Sequence, residues 1–186
     1  MKRVALYGGS FNPPHIAHQL VSLLVLEVCD VDELWWVPTY RHAFGKELAS
    51  WEARLEMCRV ATARLGPSVQ VSEIEAKLGG AENRTLKTLE VLIGAHPDHE
   101  YRLVIGADIL GETDQWHRWD EVARLAPPIV VARDGYDAGV YADESLPPVP
   151  PVSSTEIRRR LANGGSAVPL VSRGVMDYIA GRGLYR

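Results

Sequence analysis

Two histidines stand in a glycine- and proline-rich segment near the start of the chain, residues 8–18, which read GGSFNPPHIAH. Gly8 and Gly9 follow a short apolar run, and glycines at such a place let backbone N–H groups approach a bound phosphate closely. His15 and His18 are three residues apart at a predicted helix start, so they share one face and offer two donors to an anion. The segment has neither a G-x-G-x-x-G nor a Walker sequence, which disfavours redox chemistry on a dinucleotide cofactor.

Two other interpretations of the histidine pair stay open at this point. Histidines at this spacing bind metals in some proteins, but no third ligand is evident nearby, so we predict no metal site built from protein side chains. The histidines are alternatively core or capping side chains. In that case Asn12, Pro13 and Pro14 form only a turn that leads into the helix.

A second candidate group lies near the other end of the chain, at residues 152–158, which read VSSTEIR. Small hydroxyl residues at a helix start leave several backbone N–H groups exposed to a ligand. Arg158 follows one turn later, where its guanidinium is able to bind two phosphate oxygens at once. Taken alone, the segment is also explained as a capping box formed by Ser153 and Glu156.

Strands and helices alternate along the chain that carries these groups. Apolar runs predict strands at residues 4–7, 34–37, 69–71, 101–105 and 129–132. Helical spacing predicts helices at residues 15–29, 51–65, 84–93 and 119–125, another that begins after Ser153 and ends at Gly164-Gly165, and a last one at 173–180. This alternation indicates an α/β fold, a doubly wound parallel sheet with a small C-terminal helical segment at about residues 153–186.

The predicted sheet tells us where to expect the chemistry. Ligands of such sheets bind at the carboxyl ends of the strands, where the strand order reverses. We therefore expect the site in the loops at residues 8–18, 106–116 and 133–136. A chain of 186 residues suffices for one domain, residues 1–186, with a sizeable core.

Composition narrows the class of protein. Hydrophobic residues make up 46% and charged residues 24% of the chain, and the net charge is −4. A mildly acidic chain argues against broad binding to nucleic acid or to an anionic membrane. Residues 153–186 nevertheless carry a net charge of +4, which indicates either a local anion site or a solvated helix face.

Cysteine usage and hydropathy predict a cytoplasmic protein. Cys29 and Cys58 are far apart and form no CxxC pair, which is typical of reduced thiols. The chain has no apolar run long enough for a membrane span, and its first one is too short for a signal peptide. Trp35 and Trp36 point to opposite faces of a predicted strand, so a homo-oligomer contact is possible beside a core role.

Together, the two terminal motifs resemble those of the HxGH-type nucleotidyltransferases. Within that superfamily, the whole chain resembles the bacterial nicotinate-mononucleotide adenylyltransferases. Further resemblance lies in the segments RTLKTL at residues 84–89, IGAD at 105–108 with Trp116 eight residues on, VARDGY at 131–136, and the C-terminal stretch 172–185. The resemblance implies a Rossmann-like nucleotidyltransferase fold.

The resemblance also implies a reaction. ATP and nicotinate mononucleotide would give nicotinate adenine dinucleotide and pyrophosphate, with Mg²⁺ bridging the ATP phosphates. The mononucleotide phosphate would attack the α-phosphorus in line, without a covalent enzyme intermediate. Catalysis would then consist of positioning and charge stabilisation, which fits motifs rich in donors and poor in nucleophiles.

Residue roles follow from the same resemblance, with His15, His18 and Arg158 as the catalytic residues. The positions expected to contact ATP are Gly8, Gly9, Ser10, Phe11, His15, His18, Gly106, Asp108, Ser153, Ser154, Thr155 and Arg158. Those expected to contact the mononucleotide are Ser10, His42, Lys46, Thr85, Asp108, Trp116 and Arg133, with Trp116 stacked on the pyridine ring. His42 and Lys46 stand in for an adjacent His-Lys pair that the family often has after its second strand.

Several of these positions have a structural alternative. Asp108 is otherwise a helix cap, Trp116 a core residue, and Arg133 a member of a surface ion pair. The alternative functions are a nicotinamide-mononucleotide adenylyltransferase, a phosphopantetheine adenylyltransferase, and a non-catalytic nucleotide-binding module on the same fold.

Overall fold

A computed structural model describes residues 1–40, 48–79 and 85–186 of the chain. The strands are β1 (Lys2–Gly9), β2 (Glu33–Pro38), β3 (Val69–Val71), β4 (His99–Gly106) and β5 (Pro128–Val131). The α-helices are α1 (Ile16–Val28), α2 (Trp51–Thr62), α3 (Ile74–Leu78), α4 (Thr85–Ala95), α5 (Ala107–Leu110), α6 (Trp119–Leu125), α7 (Ser154–Ala162) and α8 (Arg173–Arg182), and short 3-10 helices span Thr113–Gln115 and Gly139–Glu144. In this part of the chain, no helix combines the length and the apolar character needed to cross a membrane.

The strands form one parallel sheet in the order β3-β2-β1-β4-β5. β1 lies at the centre, and its Tyr7 stands opposite Trp36 of β2 and Val104 of β4. The chain runs outward from β1 in one direction and then returns to start the other half with β4. The strand order therefore reverses between β1 and β4, where sheets of this kind bind ligands. The predicted doubly wound α/β fold is confirmed.

Each face of the sheet is covered by helices, because consecutive residues of a strand point to opposite sides. Ala5 and Trp36 belong to a core cluster that also contains buried residues of α1, α2, α7 and α8, such as Val25, Met57, Ile157 and Val175. Val4 and Leu6 belong to a second cluster with residues of α4 and α6, and Trp35 packs against that cluster. The two adjacent tryptophans thus serve opposite faces, and α7 and α8 share the first core cluster with the sheet.

Some element boundaries differ from those predicted. Gly8 and Gly9 lie inside β1 rather than after it, since they pair with Val37 and Pro38 of β2. The glycine pair ends α7 as predicted: Ala162 is its last residue, Gly164 has φ of 71°, and the backbone N–H groups of Gly164 and Gly165 donate to the carbonyl oxygens of Leu161 and Arg160. α8 continues through Gly181 and ends at Gly183, whose φ of 64° is the left-handed conformation that glycine adopts without strain.

Two short helices were not predicted. α3 has five residues and α5 has four, which is too few for apolar spacing to reveal a helix. α5 matters for the site, because it begins directly after β4 and changes the expected loop at residues 106–116 into a tight helical turn. Asp108 therefore lies in the first turn of a helix, at the carboxyl edge of the sheet.

Candidate active site

The two terminal motifs meet in space. The hydroxyl of Ser154 donates a hydrogen bond to the carbonyl oxygen of Pro13 over 2.9 Å. Nη1 of Arg158 donates to the carbonyl oxygen of Asn12 over 2.7 Å. More than 140 residues of chain separate these partners, so the contacts place the start of α7 directly against the loop that follows β1.

A cleft of about 260 Å³ opens beside these contacts, at the carboxyl ends of the central strands. Tyr7 of β1, Gly106 of β4, Val131 of β5 and the segment 149–152 line it. Other residues that line the cleft include His15, His18, Arg133, Asp134 and Tyr136. The cleft thus lies where the strand order reverses, at the place the fold predicts for a ligand.

A larger cavity, of about 410 Å³, lies at the opposite edge of the sheet. Arg3 and His99, near the amino ends of β1 and β4, are among the residues that line it. Ligands of parallel α/β sheets bind at the carboxyl edge, and none of the predicted site residues lines this larger cavity. We therefore assign the candidate site to the smaller cleft.

His15 and His18 stack against each other at the start of α1. Their ring centres are 3.7 Å apart, and the backbone N–H of His15 donates to Nδ1 of His18 over 3.1 Å. Because Nδ1 of His18 accepts a hydrogen bond, the neutral ring carries its proton on Nε2. The fold thus prepares His18 Nε2 as a donor on a ring that lines the cleft.

Both histidines are neutral at pH 7. Burial, together with the positive charge of Arg133, lowers the pKa of His15 to about 4. Burial, reinforced by His15 and Arg133, holds the pKa of His18 well below its ordinary value. Nδ1 of His15 is buried and has no hydrogen-bond partner among the described residues, and His15 is the N-cap residue of α1, so the capping alternative holds for its position.

An aromatic stack supports the loop that carries the histidines. The Phe11 ring is 1% exposed and stacks on Trp36 at 4.6 Å, with His18 4.9 Å away. The backbone of Phe11 has φ of 46°, a left-handed conformation that costs a bulky residue about 1–2 kcal/mol. Burial of the ring holds this strained turn in place, so the side chain acts as an anchor and does not line the cleft.

At the other side of the cleft, Asp108 and Arg133 form an ion pair. Nε of Arg133 lies 3.0 Å from Oδ1 of Asp108, without the alignment of a hydrogen bond. Gly106 makes this pair possible, because a Cβ at that position would lie 2.3 Å from Asp108 Oδ1 and 3.1 Å from Arg133 Nε. The ion-pair alternative for Arg133 thus holds in this structure, although Arg133 also lines the cleft.

Three consecutive arginines, Arg158, Arg159 and Arg160, follow the N-terminus of α7, and they differ in their contacts. Ser153 caps the helix by accepting the backbone N–H of Glu156, but the Glu156 carboxylate binds Arg159 and Arg160 and does not return to the cap. The capping-box interpretation is therefore only half realised. Arg158 alone of the three consecutive arginines bonds to the loop after β1.

Thr85 and Trp116, also predicted to contact the mononucleotide, do not line this cleft. Thr85 begins α4 and is half-buried, and Trp116 packs edge-on against Trp119 at 5.5 Å beside the second core cluster. His42 and Lys46 lie outside the described residues. Gly8 and Gly9 are the last residues of β1, Ser10 follows them, and a Cβ on Gly8 would point into open space.

The sequence did not reveal the roles of three residues that hold the site together, Arg54, Asn12 and Tyr185. Arg54 is buried in α2 and bonds to backbone carbonyls around the first loop. Asn12 is 2% exposed, and its side-chain oxygen accepts the hydroxyl of Tyr185 over 2.7 Å. One signal was available in the sequence: Arg54 stands at helical spacing from Cys58 and Ala61, on the apolar face of its helix.

Comparison with known proteins identifies the relatives of this chain. Residues 6–160 match the Cytidylyltransferase-like family. A relative from Anaeromyxobacter sp. (strain K), named "Probable nicotinate-nucleotide adenylyltransferase", is 48% identical over 100% of this chain and 97% of its own length. One of the same name from Myxococcus xanthus is 38% identical over 98% of this chain and 94% of its own. The solved structure of Plasmodium falciparum nicotinic acid mononucleotide adenylyltransferase complexed with NaAD has the same fold, with a TM-score of 0.83 and 19% identity over 100% of this chain and 98% of that one.

Proposed function

Because the chain belongs to the nicotinate-nucleotide adenylyltransferase family, we propose that it transfers the adenylyl group of ATP to nicotinate mononucleotide. The products are nicotinate adenine dinucleotide and pyrophosphate. One observation supports the proposal beyond the family relationship: the bonds of Ser154 and Arg158 to the loop after β1 hold the two terminal motifs against each other, and His15, His18 and Val152 of these motifs line the cleft. This contact supports a nucleotide site that combines the histidines, the N-terminus of α7 and Arg158.

The reaction needs a nucleophile that the substrate itself supplies. A phosphate oxygen of the mononucleotide forms a bond to the α-phosphorus of ATP, and the bond from that phosphorus to the bridging oxygen of the β-phosphate breaks. The electron pair leaves with pyrophosphate. The protein therefore contributes alignment and charge stabilisation, and a general base is unnecessary because the attacking phosphate is already anionic at neutral pH.

His18 is the group we assign to the developing charge on the α-phosphate. Its proton sits on Nε2, because Nδ1 is occupied by the backbone N–H of His15. A fixed neutral donor in a partly dehydrated cleft stabilises the transition state without having to reorganise. His15 packs against the His18 ring at 3.7 Å and keeps the ring in that orientation.

Arg158 and the start of α7 are assigned to the departing β- and γ-phosphates. A guanidinium has five N–H donors, and Arg158 uses two of them on Asn12 and Thr155, which leaves three for phosphate oxygens. The backbone N–H groups of Ser154 and Thr155 lie in the first helical turn, where a helix supplies no acceptors of its own. These donors together fit a dianionic or trianionic leaving group.

A magnesium ion is compatible with this cleft if the substrate phosphates and water supply most of its ligands. No group of three or more His, Cys, Asp or Glu side chains in the described ranges is placed to hold a metal. Mg²⁺ keeps several waters and binds through one or two carboxylates plus substrate phosphates, so Asp108 or Asp134 beside the cleft is a sufficient protein contribution. When bound, the ion neutralises charge on the phosphates.

We also propose a cytoplasmic location. Cys29 and Cys58 are free thiols in the structure, and Cys58 is buried. Free thiols are typical of the reducing interior of a cell, which is also where ATP is made and used.

The proposal is tested by pyrophosphate release from ATP and Mg²⁺ with three acceptors supplied separately. Nicotinate mononucleotide should give rapid release, nicotinamide mononucleotide slow release, and phosphopantetheine none above the rate without acceptor. A His18→Ala variant serves as the control for contaminating activity. Pyrophosphate release that occurs only with phosphopantetheine as the acceptor, or that needs no acceptor, would show that the assigned reaction is wrong.

A further inference from the structure

Tyr7 of β1 places a phenol group in the cleft that His15 and His18 also line. The centre of its ring lies 5.9 Å from that of Phe11 and 6.3 Å from that of Trp36, both edge-on, and 5.9 Å from the tilted ring of His18. Three aromatic neighbours therefore fix the orientation of the ring. Because the ring is carried by the central strand, its position is defined more precisely than that of a side chain on a loop.

The hydroxyl of Tyr7 has no hydrogen-bond partner among the described residues. It does not belong to the fully buried polar atoms that lack a partner, so it keeps surface that is accessible from the cleft. The hydroxyls of Tyr101 and Tyr185, in contrast, are bonded to Leu92 and Asn12. A half-buried phenol without an internal partner, at the wall of a cleft, is typical of a side chain that contacts a ligand.

The phenol keeps its proton and is therefore a hydrogen-bond donor at neutral pH. Burial raises the pKa of Tyr7 above its ordinary value, and the opposing effect of the Arg133 charge is smaller. Tyr7 and His18 thus offer two neutral donors to one cleft, beside the guanidinium of Arg133. Of the nearby carboxylates, Asp108 is paired with Arg133 at 3.0 Å, and Asp134 is exposed. This set of donors suits a ligand group that carries negative charge.

The remaining walls of the cleft are largely apolar. Its aliphatic lining residues are Ala17, Val21, Ile105, Val131, Ala132, Val149 and Val152. An apolar surface of this kind suits a nucleobase, whereas the donors suit a phosphate. The α-phosphate of ATP is the phosphate nearest to the base, and the β- and γ-phosphates are assigned to Arg158 and the start of α7. With the base against the apolar walls, the α-phosphate is therefore the group that meets the donors.

We propose that the hydroxyl of Tyr7 donates a hydrogen bond to the α-phosphate of ATP, as a second donor beside His18. This inference rests on the proposed function, because ATP is the substrate that brings this phosphate into the cleft. It adds a nucleotide-binding residue that belongs to the central strand and lies outside the two terminal motifs at residues 8–18 and 152–158. The contact also gives a partner to a hydroxyl that the fold alone leaves without one.

Tyr7→Phe removes the hydroxyl and keeps the ring with its aromatic contacts. The melting temperature of the free protein should stay unchanged, because the hydroxyl bonds to no described residue. The Kd for ATP, measured by calorimetry with Mg²⁺ and without the mononucleotide, should rise by about tenfold or more, the effect of losing a hydrogen bond to a charged group. The kcat/KM for ATP should fall by a similar factor.

The matched control is Tyr101→Phe in β4. Tyr101 is 3% exposed, and its hydroxyl donates to the carbonyl oxygen of Leu92 over 3.2 Å. Tyr101 lines the cavity at the opposite edge of the sheet, away from the cleft. Because this variant loses an internal hydrogen bond, its melting temperature should fall, whereas its Kd for ATP should equal that of the wild type. The control thus separates a loss of stability from the loss of a ligand contact.

Two smaller ligands locate the contact on the nucleotide. AMP carries a phosphate at the position of the α-phosphate of ATP, whereas adenosine has the base and the ribose without a phosphate. The Kd for AMP should rise in Tyr7→Phe by about the same factor as the Kd for ATP. The Kd for adenosine should change by less than about twofold, because the hydroxyl has no acceptor on the nucleoside.

The outcomes separate this contact from the proposed reaction. Weaker binding of ATP and AMP by Tyr7→Phe, with the Kd for adenosine unchanged, supports the contact. Equal weakening of adenosine binding, or Kd values for ATP and AMP that match those of Tyr101→Phe, overturns it. If the Tyr7 effect on ATP binding is present but the wild-type protein forms no dinucleotide, the contact stands and the proposed reaction fails. Failure of the wild-type protein to bind ATP overturns both.

Discussion

Acidification tests the buried state of His15 directly. Its pKa is about 4 in the folded protein, against an ordinary value of 6.5, because burial and Arg133 disfavour the charged ring. Between about pH 4 and pH 6.5, His15 is therefore protonated in the unfolded chain but neutral in the folded protein. The free energy of unfolding is therefore unaffected by His15 above about pH 6.5, and protonation of His15 in the unfolded chain lowers it as the pH falls towards 4.

The magnitude follows from the same two values. A difference between about 4 and 6.5 corresponds to about 3 kcal/mol in total, of which about 2 kcal/mol is lost by about pH 5. The pKa of His18 is also lowered, so its contribution has the same sign. The wild-type free energy of unfolding should thus fall by at least about 2 kcal/mol between about pH 7.5 and pH 5.

Urea denaturation followed by tryptophan fluorescence measures this quantity at each pH. The control is His15→Asn, which keeps a polar side chain but has no group that titrates in this range. Its free energy of unfolding should fall by about 2 kcal/mol less than that of the wild type over the same interval. Parallel pH dependences of the two proteins would refute the claim that His15 is held neutral by the fold.

Three further changes probe the site. His18→Ala should lower kcat by at least about 100-fold, the usual effect of losing one transition-state donor, while the protein still folds. Full activity of this variant would contradict the role assigned to His18. Arg158→Ala should raise the KM for ATP by about tenfold or more. Arg159→Ala should have little effect, because the guanidinium of Arg159 pairs with Glu156 at the surface. Similar KM values for the two variants would contradict the assignment of Arg158 to the ATP phosphates. Gly106→Ala would place a methyl group against Asp108 Oδ1, closer than van der Waals contact allows. A crystal structure of this variant should show the Asp108 carboxylate displaced, and steady-state assays should show a lower kcat/KM. An undisturbed carboxylate would contradict the steric argument.

The fold was largely predictable from sequence because its signals are local. Apolar runs such as the one around Ile129 are buried on both sides, and the structure places a strand at each predicted position. Ser153 was recognisable as a helix start, and it caps α7 as predicted. The meeting of the two terminal motifs was expected only from the family resemblance, since no local pattern brings Arg158 to Asn12.

The rest of the site depends on contacts that a linear pattern does not contain. Arg54 reads as one more charged residue on an amphipathic helix, and only the fold shows that it faces four carbonyls. The pairing of Asp108 with Arg133 depends on the absence of a side chain at Gly106, which the structure alone shows. The roles of Thr85 and Trp116 toward the pyridine ring stay predictions, because these residues do not line the cleft.

Following the α-phosphate of ATP tests the central claim most directly. ATP labelled with ³²P at that phosphate is incubated with the protein, Mg²⁺ and nicotinate mononucleotide, and the products are separated. The account predicts that all transferred label appears in nicotinate adenine dinucleotide and that the pyrophosphate is unlabelled. Label in pyrophosphate or in free AMP, without formation of the dinucleotide, would contradict adenylyl transfer at this cleft.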